Sequence, residues 1–466
     1  MVDLDLDDGE DHKALSLVPA PGGPPPEGEG DVYALVRLRG RPVATVLGRV
    51  RDGEAPAEVL TAAFLARQDR YGRTRMSPAR PEPYGVLPAE QPVPDSAPVS
   101  VSAPAPARTT ATPPPPLPLP RTTVVVATRE RAGHAGHAGH AGQLARALDS
   151  LLAQDHPDFR VLLVDNAPVT TATRDLVESR YAGRVDHVTE PRPGLAVAHN
   201  RGVAAADGDV IAFTDDDVVA DPHWLTALTA PFATDPGLGC VTGLILPARL
   251  TTPAQILLES HGGFAKGFEP RLYDPARPPA DEPLFPFTAG SFGSGANMAF
   301  RAGALRAVGG FDPATGTGTP ARGGDDLYAF VRVLTAGHRL LYTPDALVWH
   351  HHRETWQDLG DQAYGYGAGL TAYLTAILVR RPALLPAFLA KLPRGLAHAR
   401  AITAHRADGV TGATGAHGAV PGAVPGAHGA HTHPWPRVLS RLERRGMLYG
   451  PIGYLKARRR IRGGRT

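Results

Sequence analysis

Three consecutive carboxylates, Asp215-Asp216-Asp217, follow the short apolar run Val210-Ile211-Ala212-Phe213. A second acidic pair, Asp325-Asp326, opens a stretch with Leu327, Phe330, Val331 and Leu334 at helical spacing. Acids at the end of a buried strand are costly to desolvate unless something positive meets them. If strand geometry persists through the triplet, Asp215 and Asp217 point to one side and Asp216 to the other. Two carboxylates on one side favour a hard divalent cation, Mn²⁺ or Mg²⁺, that keeps open positions for phosphate oxygens. Taken bare, the triplet is equally a solvated acidic turn, and the pair is equally a helix cap. The surrounding elements decide between these readings.

Those elements alternate. Thr123-Val124-Val125-Val126-Ala127-Thr128 and Phe159-Arg160-Val161-Leu162-Leu163-Val164-Asp165-Asn166 are apolar runs of the kind buried on both faces of a sheet. Between them, residues 143–154 place Leu144, Ala147, Leu148, Leu151 and Leu152 on one helical face. A helix over 171–180, a strand over 185–188, a helix over 195–206 and the strand before the triplet continue the pattern. Asp221-Pro222 reads as the start of the next helix. The alternation predicts an α/β fold, a mostly parallel sheet flanked by helices. Ligands of such sheets bind beyond the carboxyl ends of the strands. Thr128, Asp165 and Asp215 all stand at such ends and are expected to converge.

The rest of the chain divides by composition. Residues 1–30 are acidic and rich in proline and glycine, and disorder is expected there. Residues 31–77 read as a small accessory hairpin and helix, and 78–121 as a proline-rich, extended linker. The alternation occupies 122–355. A helical extension over 356–405 carries Tyr364, Tyr366 and Tyr373 near Arg380-Arg381, which suits either a membrane interface or packing on the main domain. Residues 406–436 are His/Gly/Ala/Pro-rich and 437–466 form a basic tail. Histidines also recur every third residue between Gly133 and Gly142; a flexible insertion with adventitious metal affinity is the expectation for both tracts.

A composition of 42% hydrophobic and 20% charged residues fits an ordinary folded protein. The single cysteine, Cys240, excludes an intrachain disulfide. Basic charge without a recognition module makes nucleic acid an unexpected partner. No basic-then-apolar leader opens the chain, and no apolar run reaches the ~18 residues that span a bilayer. The expected location is the cytoplasm, with the inner face of the cell membrane as an added contact.

At this point an ordered set of motifs stands out. Val124-Val125-Val126-Ala127-Thr128-Arg129, Val164-Asp165-Asn166, Pro193-Gly194-Leu195-Ala196-Val197-Ala198-His199-Asn200 and the Asp triplet come first. Gly293-Ser294-Gly295-Ala296-Asn297, Gly309-Gly310-Phe311-Asp312, Gly323-Gly324-Asp325-Asp326 and Val348-Trp349-His350 follow in order. The set, from Thr122 to Arg353, resembles glycosyltransferase family 2. The resemblance implies the GT-A fold and inverting transfer from a nucleotide sugar to a hydroxyl acceptor. It implies that Thr128 and Arg129 line the nucleotide pocket and that Asp165 binds the base, which suits uracil or thymine. Gly194 and Asn200 would shape the diphosphate and ribose pocket. Asp215 would approach the ribose or metal, Asp217 would ligate the metal, and Asp326, beside Asp325, would be the catalytic base. His350 is a candidate further metal ligand or diphosphate donor, or else a packed or exposed histidine beside His351 and His352. The family's usual Glu-Asp is Asp325-Asp326 here, and its frequent Ala-Arg-Asn is Ala198-His199-Asn200.

Rival readings are a sugar-nucleotide nucleotidyltransferase and a non-catalytic sugar- or nucleotide-binding module. The first needs a Gly-rich loop bearing Lys or Arg after the first strand, which the His-Ala-Gly tract does not supply. A dehydrogenase is disfavoured by the missing glycine fingerprint.

Overall fold

The computed structural model describes residues 1–9, 12–23, 25, 29–71, 117–129, 137–261, 263–391, 393 and 436–463. Most of the proline-rich linker, the first part of the His-Ala-Gly tract and the tract over 415–433 lie outside the described residues.

The chain opens with strands β1 (Val2–Leu6), β2 (Ala14–Pro19), β3 (Gly30–Leu38) and β4 (Arg41–Val50). They form a sheet in the order β2-β1-β3-β4, backed by helix α1 (Pro56–Tyr71). The expected disorder over 1–30 is corrected for residues 2–6 and 14–19, which form strands. Val2, Leu4 and Leu6 alternate with acids and bury their side chains with Ala34, Val36, Leu60 and Phe64. The acids face the other way: Asp3 accepts from Arg37 and Asp5 from the Gly40 amide. An acidic composition concealed a period of two.

This sheet rests on the main domain. Ala20 and Leu35 pack with Leu244, Leu246 and Trp349. Arg37 Nη2 donates to Asp221 Oδ2 at 2.6 Å while its Nε donates to Asp3 at 2.9 Å. Asp221 therefore joins two units. The helix after it begins later than expected, at Trp224, and Asp221 closes the preceding turn by accepting from the His223 amide.

The main sheet comprises β5 (Thr122–Thr128), β6 (Phe159–Asn166), β7 (Val185–Glu190), β8 (Val210–Asp215), β9 (Val218–Ala220), β10 (Leu238–Pro247), β11 (Arg271–Tyr273), β12 (Asn297–Arg301) and β13 (Arg339–His350). Its order is β11-β13-β10-β12-β8-β5-β6-β7, with β9 on β13. The strands β7, β6, β5 and β8 are parallel, β12 is antiparallel to both neighbours, and β10 is parallel to β13. Helices α2 (His137–Leu152), α3 (Ala172–Arg180), α4 (Leu195–Ala205), α5 (Trp224–Thr234), α6 (Pro253–Ser260), α7 (Ala302–Ala307) and α8 (Asp325–Thr335) connect them. Two apolar clusters form the core. One holds Val125, Leu162, Ala198 and Phe213 with Phe330 of α8; the other holds Val124, Val126 and Leu163 with Leu148 of α2 and Trp224 of α5. Buried Asn297 locks the reversed strand, donating to the carbonyls of Leu244 and Ala346 and accepting from Trp224 Nε1.

Helix α9 (Trp356–Arg380) carries the tyrosines for which a membrane interface and packing were both open. It is packed: Leu359, Ala363, Ala368, Ala372, Tyr373 and Ile377 are buried. The basic tail is helix α10 (Arg437–Gly463), lying along α9. Among the described residues no single helix is long and apolar enough to cross a membrane.

Removing Arg37 leaves buried Asp221 and half-buried Asp3 without their counter-charge. Arg37→Ala is expected to lower unfolding free energy by about 3–5 kcal/mol, measured by equilibrium denaturation; a shift within error would show that the interface does not depend on this pair.

Candidate active site

The site is built at the carboxyl edge of the sheet. Strand β8 ends at Asp215, and the next two acids occupy a tight turn before β9. The expected divergence is realised by that turn, not by continued strand. Asp216 accepts from Thr128 Oγ1 at 2.6 Å, whereas Asp215 and Asp217 converge with His350. One ligand atom from each of these three lies within 4.8 Å of the others. His350 reaches the cluster because β13 ends beside β9, with His350 in register with Val218.

The donor set fits a divalent cation. The Asp215 carboxyl is pushed well above the usual carboxylate range, first by burial and then by the charges of Asp217, Asp216, Asp325 and Asp326. Burial lowers the His350 imidazole to about 4, so it is neutral at physiological pH, the form that ligates. Two carboxylates and a neutral imidazole are a set on which Mn²⁺ or Mg²⁺ chemistry can rest, and a bound cation relieves the repulsion among the acids.

Across the site stands Asp326 in the first turn of α8. Gly324, at φ +84°, starts the helix, and the positive helix end faces both acids. Asp326 Oδ2 accepts from the Gly295 amide and Oδ1 from the Leu327 amide, each at 2.8 Å. Burial, then the neighbouring Asp325 charge, raises its carboxyl to about 6. Asp325 is the more deeply buried of the two and lies 3.3 Å from His199 Nδ1. The histidine that replaces the family's usual arginine thus faces the first acid of the pair.

The other expected residues divide. Asp165 is buried 3.5 Å from His187 Nε2 and pairs in register with Thr128. Gly194, at φ +137°, donates its amide to Asn166 Oδ1 at 2.9 Å. Arg129 is exposed and passes close to Gly318, which itself abuts Gly194. The side-chain amide of Asn200 donates to the Phe311 carbonyl and accepts from the Phe311 amide, both at 2.8 Å. It holds the Gly309-Gly310-Phe311 turn, and any part it has in shaping a pocket is played through that turn.

Sequence reasoning missed Lys266, whose ammonium is lowered to about 8 by burial and drawn back up by the charge of Asp326. The signal was available as a lone cation inside the apolar segment Phe264-Ala265-Lys266-Gly267-Phe268.

Residues 120–363 match the family described as glycosyltransferase-like family 2. The chain belongs to that family. Its sheet, parallel from β7 to β8 with β12 reversed and helices on both faces, is the GT-A arrangement. The pre-mycofactocin glycosyltransferase of Mycobacterium tuberculosis is 30% identical over 200 residues, 43% of this chain and 39% of that protein. The glucosyl-dolichyl phosphate glucuronosyltransferase of Haloferax volcanii is 23% identical over 221 residues, 44% of this chain and 63% of its own length. The chain therefore spans less than two thirds of either relative. Among solved structures, mannosyltransferase PcManGT from Pyrobaculum calidifontis, in complex with GDP-Man and Mn²⁺, aligns at 20% identity with a TM-score of 0.44 over 73% of this chain and 89% of that one.

Asp217→Ala removes one of three converging donors of this family member's acidic cluster. Mn²⁺ binding, followed by the EPR signal of the free ion, is expected to weaken by more than about 10-fold; native affinity in the variant would show that no cation is held there.

Proposed function

We propose that this chain moves a sugar from a nucleoside-diphosphate sugar to a hydroxyl acceptor with inversion at the anomeric carbon. The observation that carries the reading is the pairing of a cation-type cluster, Asp215, Asp217 and His350, with a second acid, Asp326, whose charge is felt at Asp215. Departure of a nucleoside diphosphate leaves charge on a bridging oxygen, and a divalent cation supplies Lewis acidity for it. The imidazole in the set favours Mn²⁺ over the strictly oxygen-seeking Mg²⁺. Asp165 and Thr128, at the ends of neighbouring strands, form the nucleotide side, and the single ring N–H of uracil or thymine suits an accepting carboxylate.

Asp326 takes the proton of the acceptor hydroxyl as attack proceeds. Two backbone amides hold its carboxylate in place, and its raised affinity for a proton matches the work of a base better than an ordinary surface acid would. Lys266 lies on this side and suits an anionic group on the acceptor or donor. A non-catalytic binding module would have no use for a base at that position. The relatives differ in what their names say they act on; the acceptor in this proposal is a hydroxyl compound, in cell-envelope, polysaccharide or glycoconjugate synthesis, with the cytoplasmic side as the expected place.

Asp326→Asn is expected to lower kcat by ~10²–10⁴ while donor KM stays near native. The native kcat/KM is expected to fall as pH drops through about 6, where Asp326 gains its proton and can no longer accept one. Near-native turnover in the variant, or a flat profile across that range, removes Asp326 as the base.

Membrane contact belongs in this proposal to α10, not α9. Its outward face carries Leu448, 79% exposed, with Ile452 and Leu455 at following turns. Arg441, Arg444 and Arg445 flank one end of this apolar strip and Lys456 and Arg459 the other. Apolar side chains ringed by cations complement an anionic bilayer. The protein is expected to sediment with vesicles of phosphatidylcholine and phosphatidylglycerol but not of phosphatidylcholine alone, and Leu448→Glu to weaken this. Equal binding to both vesicles, or self-association at this face instead, would overturn the assignment.

A further inference from the structure

Behind the three candidate ligands runs a row of side chains with a direction. His350 turns Nε2 toward Asp217 Oδ1, 3.5 Å away, and its Nδ1 lies 3.0 Å from Nδ1 of His352. His352 is buried, and its Nε2 lies 3.3 Å from Glu259 Oε2. The other oxygen of Glu259 accepts from the Tyr33 hydroxyl, at 3.4 Å, on β3 of the accessory sheet.

With a cation on His350 Nε2, the row admits one proton order. A carboxylate only accepts, so His352 must carry its proton on Nε2, which leaves its Nδ1 as an acceptor. The short contact between the two Nδ1 atoms then requires the proton on His350 Nδ1. Nε2 of His350 is left with a bare lone pair facing Asp217. The opposite order would set an unprotonated ring nitrogen against the carboxylate oxygen of Glu259. It would also put an N–H where a metal ligand needs a lone pair.

We infer that Glu259, acting through His352, is a positioning residue that fixes the metal-ligating tautomer of His350, and that Tyr33 couples the accessory sheet to this row. The inference rests on the reading of Asp215, Asp217 and His350 as a cation site.

The local structure accommodates Glu259 at some cost. It lies in the last turn of α6, where a negative charge opposes the helix dipole. Gly263, at φ +41°, leaves room for it: a Cβ there would fall 2.4 Å from Glu259 Oε2. The Phe264 ring packs on both imidazoles, its centroid 5.2 Å from His350 and 5.4 Å from His352. Gln255, which completes the capping box of α6, also donates to the His352 carbonyl at 3.1 Å. One short helix therefore holds both the backbone and the ring of His352.

Mn²⁺ binding to the full-length protein, read by EPR, tests the row without turnover. Glu259→Ala is expected to weaken binding ~10–100-fold. Glu259→Gln, whose carbonyl oxygen accepts the same bond, is expected to recover most of the loss, and Tyr33→Phe to show a smaller loss. Native affinity in Glu259→Ala, or a Gln variant as weak as the Ala variant, overturns the inference. Should Glu259→Ala fail to fold, ¹⁵N imidazole shifts of the native protein loaded with Mg²⁺ decide: an unprotonated Nε2 on His352 overturns it. His350→Ala separates the two levels. If it too leaves Mn²⁺ affinity unchanged, the cation site itself is wrong; if it weakens binding where Glu259→Ala does not, only the positioning role is lost.

Discussion

Five carboxylates, those of Asp215, Asp216, Asp217, Asp325 and Asp326, meet at one edge of one sheet, and their mutual repulsion is the constraint around which the structure is arranged. At an effective dielectric of ~20, two unit charges 4 Å apart repel by about 4 kcal/mol, so each acid needs its own compensation. Asp216 takes the Thr128 hydroxyl and Asp325 faces His199. Asp326 takes two backbone amides at a helix N-terminus. Asp217 has Arg353 at 4.0 Å. Asp215 has mainly like charges around it, and burial and then those charges push it toward its neutral form. The compensation runs short where the donor atoms converge, so the fold itself marks where a cation belongs.

The placement of Asp326 depends on elements far from it in sequence. Gly324 sets the start of α8, and a Cβ there would lie 2.6 Å from the Gly369 carbonyl of α9. Helix α9 is held in turn by α10 at a spacing that only glycine permits: a Cβ on Gly446 would meet the Tyr364 carbonyl at 2.1 Å. Arg380 of α9 and Tyr454 of α10 both reach Asp312, the acid of the Gly-Gly-Phe-Asp turn that Asn200 also holds. The segments after the stretch matched to the family therefore brace the helix that carries Asp326, the proposed base.

Legibility in the sequence followed the range of the interactions. The strand–helix alternation and the acids at strand ends could be read because periodicity and desolvation act locally. Disorder over residues 1–30 was the wrong expectation because charge composition outweighed a three-residue alternation, Val2, Leu4, Leu6, whose partners lie on β3 and α1. The Phe311 partner of Asn200 could not be read, because a motif records which residue is present, not which backbone its amide meets 111 residues later. Glu259 and Tyr33 were invisible for the same reason. Nothing near either residue says that they touch, since 226 residues separate them.

The three histidines at the end of β13 show how an apparent ambiguity resolves. A run of His350-His351-His352 weakens the case for any one of them as a ligand when read as composition. Read as an extended chain, alternate residues share a side. His350 and His352 do, and their rings meet; His351 turns to the opposite side, where its Cε1 lies 3.1 Å from the place a Cβ would take on Gly22 of the accessory segment. The same three residues thus face the acids, the accessory segment and α6 in turn. A displacement of the accessory segment would be felt by His351, and one of α6 by His352, before either reached the nitrogen that faces Asp217. The strand end is the point where the two domains and the acidic cluster share a backbone, which is why an accessory sheet with no chemistry of its own bears on the chemistry of the site.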